Sequence, residues 1–194
     1  MKKIFAIITL ALAVSLSSFA QPKAIGGRFG YSGLEASYEH YVGSPNFIEA
    51  DLGLDYIGAF GFKATGTYNF VFAQPSWTSR GDWAWYAGAG LSMGYVGDKV
   101  KYNVQYIDAD GKTKNAKEWW WTRGFELSIP VQVGLEYTFW FPLQLSVDIR
   151  PYIGMHINNG RIAEGVPVEH NKKVGFYDEG LWGFAPTLSV RYSF

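Results

Sequence analysis

The 194-residue sequence contains no cysteine, three histidines and eight prolines. Without cysteine there is no disulfide framework, no thiolate nucleophile and no thiolate metal ligand. His40, His156 and His170 lie far apart, with no spacing that marks a zinc site. Basic and acidic residues balance at 17 each, so no basic excess points to nucleic acid. After residue 20 no apolar run has the length of a membrane-spanning helix. Any membrane crossing by the rest of the chain must therefore use strands.

The first twenty residues have the layout of a secretory signal peptide. Lys2 and Lys3 precede an apolar run from Ile4 to Leu16, and Ser18 and Ala20 place small residues around a cut after Ala20. Residues 21–194 are then expected to form one domain. Removing Lys2 and Lys3 leaves acids in slight excess. An exported chain without disulfides needs another source of stability, and the closed hydrogen-bond ladder of a barrel supplies one. The 8 Trp, 13 Tyr, 14 Phe and 23 Gly suit such a barrel, with wide rings outside and little bulk where the interior is tight.

Alternation of period two runs from Ala24 onward. It predicts an all-β, eight-stranded, antiparallel up-and-down transmembrane barrel. The strands are expected near 24–31, 34–42, 47–57, 60–72, 83–96, 125–139, 143–156 and 181–194. In the third, Ile48, Ala50, Leu52, Leu54 and Tyr56 oppose Glu49, Asp51, Gly53 and Asp55. In the fourth, Phe62, Ala64, Gly66, Tyr68 and Phe70 oppose Lys63, Thr65, Thr67 and Asn69. A tight turn at Gly58-Ala59-Phe60 would set Asp55 directly across from Lys63. The connections 43–46 and 140–142 are short, and 97–124 and 157–180 are long. That parity puts both long loops at one end, the outer end if the termini are periplasmic. Ser32-Gly33 is a tight turn at the same end.

Volume decides which face is inside. An eight-stranded barrel has room for side chains and little more. The face with Phe29, Tyr38, Phe62, Phe70, Phe125 and Tyr137 is too bulky for that interior. The other face carries small residues, among them Gly88, Gly90, Ser92, Gly94, Ser128, Gly134 and Ser146, and a few long charged ones. The polar face is expected inside and the aromatic face in lipid. Gly81-Asp82-Trp83 fits the loose G-x-W pattern of soluble lipocalins, but it sits mid-chain, where that family does not place it.

The chain ends Val190-Arg191-Tyr192-Ser193-Phe194. A final Phe with an aromatic two residues earlier resembles the C-terminal assembly signal of bacterial outer-membrane proteins, carried here by Tyr192 and Phe194. Ile25-Gly26-Gly27-Arg28-Phe29-Gly30-Tyr31, followed by Leu34-Glu35-Ala36-Ser37-Tyr38-Glu39-His40, resembles the opening hairpin of small opacity-type and OmpX/OmpA-like barrels of Bacteroidetes. That resemblance implies an eight-stranded barrel in the outer membrane, with lipid and the outer-membrane assembly machinery as partners. It implies no single activity, since such barrels include adhesins and structural proteins.

Candidate chemistry starts with the inward charges: Arg28, Glu35, Glu39, Glu49, Asp51, Asp55, Lys63, Glu126, Glu136, Asp148, Arg150 and Arg191. Eight acids face four bases. They read either as a salt-bridged filling of the lumen or as the lining of a narrow cation path. The acidic surplus calls for water, a bound cation or protonated carboxylates. A lipid-modifying enzyme would need a His with a Ser and an acid near the outer rim; His156 and Ser92 are the nearest approach, and no spacing ties them together. Asp108-Ala109-Asp110-Gly111 resembles the middle of a calcium loop but lacks the flanking ligands, and a turn explains it. In 97–124 the alternation Val100, Tyr102, Val104, Tyr106 followed by Asp110-Gly111 predicts a hairpin that continues strands five and six beyond the membrane. Trp119, Trp120 and Trp121 on its return arm read as an aromatic girdle or as an external contact patch. The expected role is non-enzymatic, structural or surface-interacting, with no cofactor and a monomeric chain. The alternatives are a narrow channel for ions or small solutes and, behind it, a lipid-modifying enzyme.

Overall fold

Residues 23–31, 33–43, 45–55, 60–107, 110–158 and 173–194 are described by a computed structural model. The signal segment, Ser32, Tyr56, Asp108 and His170 lie outside them. The strands are β1 (Lys23–Gly30), β2 (Gly33–Tyr41), β3 (Phe47–Asp55), β4 (Gly61–Ala73), β5 (Asp82–Ile107), β6 (Thr113–Thr138), β7 (Gln144–Ile149), β8 (Tyr152–Asn158), β9 (Lys173–Phe176) and β10 (Thr187–Ser193). A 3-10 helix, Asp178–Phe184, separates β9 from β10.

Each strand is antiparallel to its neighbours. The ring β1-β2-β3-β4-β5-β6-β7-β10 closes on itself through the β5–β6 and β1–β10 pairings. This is an all-β, closed, eight-stranded barrel. The seam is continuous at its base, where Lys23 and Phe194 exchange backbone hydrogen bonds of 3.0 and 2.8 Å. Closure leaves no free sheet edge around the ring. Alternation sorts the side chains. In β3, Phe47, Glu49, Asp51, Gly53 and Asp55 are turned inward and Ile48, Leu52 and Leu54 outward. The outer wall exposes Phe29, Leu52, Phe62, Phe70, Ile129, Val147 and Tyr192. The polar face is therefore inside.

Three expectations are corrected. The expected strand 143–156 is two strands, broken at Arg150-Pro151. Pro151 lies beside Pro130 of β6, and neither has an N–H to give to the ladder. Val131 instead donates to the Pro151 carbonyl at 3.0 Å. Below the break β6 pairs with β7, and above it with β8. The expected strand 181–194 begins only at Thr187, because residues 178–184 turn into the 3-10 helix. The β3–β4 register is also shifted by two residues: Gly53, not Asp55, stands across from Lys63, and Asp55 stands across from Gly61. A slip of two preserves the faces, so Asp55 and Lys63 still point inward.

Among the described residues the strands end at unequal heights. β1 and β2 pair as far as Gly30 and Gly33 and β3 and β4 as far as Asp55 and Gly61, whereas β5 and β6 remain paired as far as Ile107 and Thr113. The hairpin thus rises above the ring, closed by a turn in which Gly111 has φ +73°. This continuation matches the alternation of residues 97–124.

Candidate functional site

Inside the barrel, Glu49 is the centre of a cage. It is fully buried. Arg150 Nη2 donates to its Oε1 at 2.7 Å and Arg191 Nη2 at 2.6 Å, with Arg28 Nη1 at 3.4 Å. Gln132 Nε2 donates to Oε2 at 2.9 Å, and the Ser37 hydroxyl is 3.4 Å from Oε1. The three guanidiniums then reach outward to other carboxylates. Arg28 takes both oxygens of Asp148 and lies 3.2 Å from Glu35. Arg150 donates to Asp51 at 2.5 Å, and Arg191 lies 2.7 Å from Glu39. Tyr86 donates to Asp148 at 3.2 Å, and Thr67 to Gln132 at 3.3 Å. Every strand of the closed ring contributes at least one member to this network. A planar guanidinium with five donors suits such branching, which a lysine could not reproduce.

Lys63 lies 3.7 Å from Glu35 and 3.9 Å from Asp55, with its ammonium 4.3 Å from the centre of the Tyr152 ring. Gly53 across from it makes room: a Cβ there would come within 2.7 Å of the Glu35 side chain. Glu126 and Glu136 have different company. Ser128 and Ser92 donate to Glu126, and Tyr41 donates to Glu136 at 3.0 Å. Neither has a cation within ion-pair distance among the described residues.

Apolar clusters lie above and below this network. Phe47, Val71 and Tyr86 pack together toward the end that carries Lys23 and Phe194. Tyr86 fills the space over Gly134, its partner on β6, where a Cβ would lie 2.4 Å from the ring. Val96, Tyr152 and Tyr177 pack toward the other end. There the 3-10 helix turns inward and meets β5. The N–H groups of Asp178 and Glu179 donate to the Asp98 carboxylate at 3.4 and 3.1 Å. Asp98 sits one rung above the exposed, outward Arg123, and so above the apolar belt. Burial outweighs its three backbone donors and pushes its pKa up to about 6. Burial likewise raises Glu179.

The cavities agree with this crowding. The one lined by Arg28, Glu35, Arg150 and Gly183 is about 10 Å³, roughly one water at most. A vestibule of about 220 Å³, lined by Lys23, Tyr41, Gln74 and Glu136, opens at the other end. Hollows of about 650 and 720 Å³ lie on the apolar outer wall.

His156 and Ser92 do not form a nucleophile pair. His156 Nε2 is 3.1 Å from the Val96 carbonyl and Nδ1 is 3.8 Å from Asp98. The buried Ser92 hydroxyl faces Thr65 and Glu126. His40 lies beside Tyr38, 3.3 Å from its hydroxyl. Asp110 and Gly111 occupy the hairpin turn.

On the hairpin, Trp119 and Trp121 are exposed and face outward. Lys101 sits over the Trp119 ring at 5.4 Å and Lys99 over Trp121 at 4.9 Å. Trp120 is paired with Val100. At the opposite end an aromatic cluster links Trp77, Trp83, Tyr137, Phe139 and Phe141 through ring contacts of 4.5–5.3 Å. Tyr192 and Phe194 stack at 6.4 Å on the outer wall.

Beyond the twelve charges, the inward parity also brings Asn69, Tyr86, Asp98, Gln132 and Gln144 into the lumen. Tyr177 and Glu179 follow no alternation, because they belong to or adjoin the helix.

No family model matches the chain, and no curated protein matches it. Among solved structures it is similar to the N-terminal β-barrel domain of Pseudomonas aeruginosa OprF, with 12% identity over 90% of this chain and 96% of that one and a TM-score of 0.43.

Proposed function

We propose that this protein is a non-enzymatic outer-membrane barrel whose role is structural or surface-interacting. Its lumen is filled, and its β5–β6 hairpin is displayed outside the cell. The observation that carries this reading is the cage around Glu49. It ties all eight strands of the ring together across the lumen, between two apolar clusters. The exposed apolar belt supports placement in lipid, since nothing else in the described chain covers it. The aromatic clusters at strand ends suit membrane interfaces. Residues 1–20 serve as a cleaved export signal in this reading, Tyr192 and Phe194 engage the assembly machinery, and the chain acts as a monomer.

A narrow cation path is the second reading. Glu126 and Glu136, the carboxylates without a cationic partner among the described residues, favour it. Planar-bilayer recording separates the two. The refolded protein is expected to show no discrete channel openings, and Arg150→Ala is expected to lower stability without opening a wide pore. Regular, cation-selective steps from the wild type would replace the filled barrel with the channel.

A further inference from the structure

We propose that the outward face of the β5–β6 hairpin holds the phosphorylated head of an outer-leaflet glycolipid. The inference rests on the reading above that this hairpin stands on the outside.

The lipid-facing side of β5 and β6 ends at the rung Tyr95–Phe125. The same side then continues upward with Gly97–Arg123, Lys99–Trp121 and Lys101–Trp119, and then Lys117. Four basic residues and two tryptophans occur on this side, and no described residue of β5 or β6 on it is acidic. Arg123, Lys101 and Lys117 are exposed. Lys99 is partly committed, because its ammonium also lies 3.7 Å from Glu179. The surface is therefore positive and placed where lipid heads must pass.

The tryptophans orient the charges. A lysine over an indole face is attracted by the ring quadrupole, and both pairs here have that geometry. Holding a long side chain in place reduces the ordering cost when an anion binds. An exposed Trp also presents an apolar plane with a polar edge, as at membrane interfaces.

Height selects the occupant. Strands rise about 3.4 Å per residue and tilt roughly 35–45° in such barrels. Arg123 then lies about 5 Å above the last apolar rung, and Lys101 with Trp119 about 15 Å above it. The polar layer of an ordinary phospholipid leaflet is roughly 5–8 Å thick. A phospholipid head reaches Arg123 and stops short of Lys101 and Trp119. A head that carries phosphates on sugars spans all the rungs, placing anionic groups against the cations and sugar rings against the indoles.

The test uses the full barrel refolded in phospholipid vesicles doped with a phosphorylated bacterial glycolipid. It is then extracted in mild detergent, and retained glycolipid is counted by native mass spectrometry. About one glycolipid per wild-type chain is expected. The triple variant Lys101→Ala/Lys117→Ala/Arg123→Ala should lose at least tenfold in retention, and Trp119→Ala should fall between. Lys112→Ala/Lys114→Ala, at the tip and off this face, should retain as the wild type does. Glycolipid stripped of its phosphates should not be retained. A heat-modifiable gel shift reports folding in every sample. Folded wild type without bound glycolipid overturns the inference and leaves the barrel reading standing; failure to fold in any vesicle strikes that reading instead. Equal loss in the tip and ladder variants, or equal retention of the dephosphorylated lipid, also overturns it.

Discussion

Glu49 and Glu136 are both buried carboxylates on the lumen wall, yet a neutral amide in their place should have opposite effects. Glu49 is contacted by three guanidiniums. Removing its charge leaves three buried cations with less compensation, and breaking a buried pair costs about 3–5 kcal/mol. Glu136 is met by the Tyr41 hydroxyl, and one of its oxygens has no hydrogen-bond partner. A buried charge with no cation at ion-pair distance among the described residues is a cost that a neutral group relieves. Glu49→Gln is therefore expected to lower the temperature of the heat-modifiable gel shift clearly, and Glu136→Gln to leave it unchanged or raise it. An equal drop in both variants would mean that the ion pairs do not organise the lumen. The inward direction of these twelve charges was legible in the sequence, because period two fixes a face and barrel volume decides which face is inside. Their partners were not. Which carboxylate each arginine meets depends on stagger around the ring, and the two-residue offset between β3 and β4 illustrates how alternation conserves the face while losing the register. The expected Asp55–Lys63 opposition became Gly53–Lys63, with Lys63 reaching diagonally to Asp55 and Glu35.

The 3-10 helix Asp178–Phe184 is the element that alternation missed, and its attachments can be tested one at a time. Gly183 accepts a hydrogen bond from the Arg150 N–H at 2.7 Å, just where β7 stops. A Cβ on Gly183 would lie 1.9 Å from the Arg150 carbonyl oxygen, so the backbones must separate. Gly183→Val should cost on the order of 1–3 kcal/mol, as overpacking does. It should appear as lost exchange protection at the Arg150 amide, with the β1–β2 amides unchanged. Uniform loss across the barrel would show that the helix is not a separable element. Its other end is held by Asp98, whose carboxyl titrates near 6 when the helix is docked, against about 3.9 for a free side chain. The docked state thus binds the proton more tightly. This contribution to docking is complete below about pH 4 and fades as the pH rises through 6. Protection factors at Asp178 and Glu179 should be higher at pH 5 than at pH 8, and Asp98→Asn should shrink the difference to what the raised Glu179 contributes. A pH response as large in Asp98→Asn as in the wild type would assign it to another group. Nothing in the alternation marks this helix, because Trp182, Gly183, Phe184 and Ala185 read as apolar and small residues alternating into a strand. The break at Arg150-Pro151 did carry a signal, the missing N–H of proline. It becomes decisive only beside Pro130, a neighbour across the sheet.

At the scale of the whole molecule the described strands rise to unequal heights. β1 and β2 pair only as far as Gly30 and Gly33, while β5 and β6 stay paired to Ile107 and Thr113. The opposite end carries short connections and the aromatic cluster around Trp83 and Tyr137. Sidedness follows from cost. Placing the hairpin across the bilayer would bury Lys99, Lys101, Lys117 and Arg123 in lipid, at roughly 2–4 kcal/mol for each charge near the midplane. In the proposed membrane setting it stands in water on one side, with the 74–81 connection on the other. The absence of cysteine makes this directly measurable, since a single introduced thiol is the only site for a maleimide label. Asn115, on the hairpin, and Ser79, on the short connection, are both exposed. With the termini in the periplasm, Asn115→Cys should react with a membrane-impermeant maleimide on intact cells. Ser79→Cys should react only after the outer membrane is permeabilised. Both substitutions lie away from the lumen network, so each variant should retain the wild-type gel shift. Labelling in the reverse order would invert the topology and remove the hairpin from the cell surface. Labelling of both sites on intact cells would mean that the chain does not span the membrane in this orientation at all.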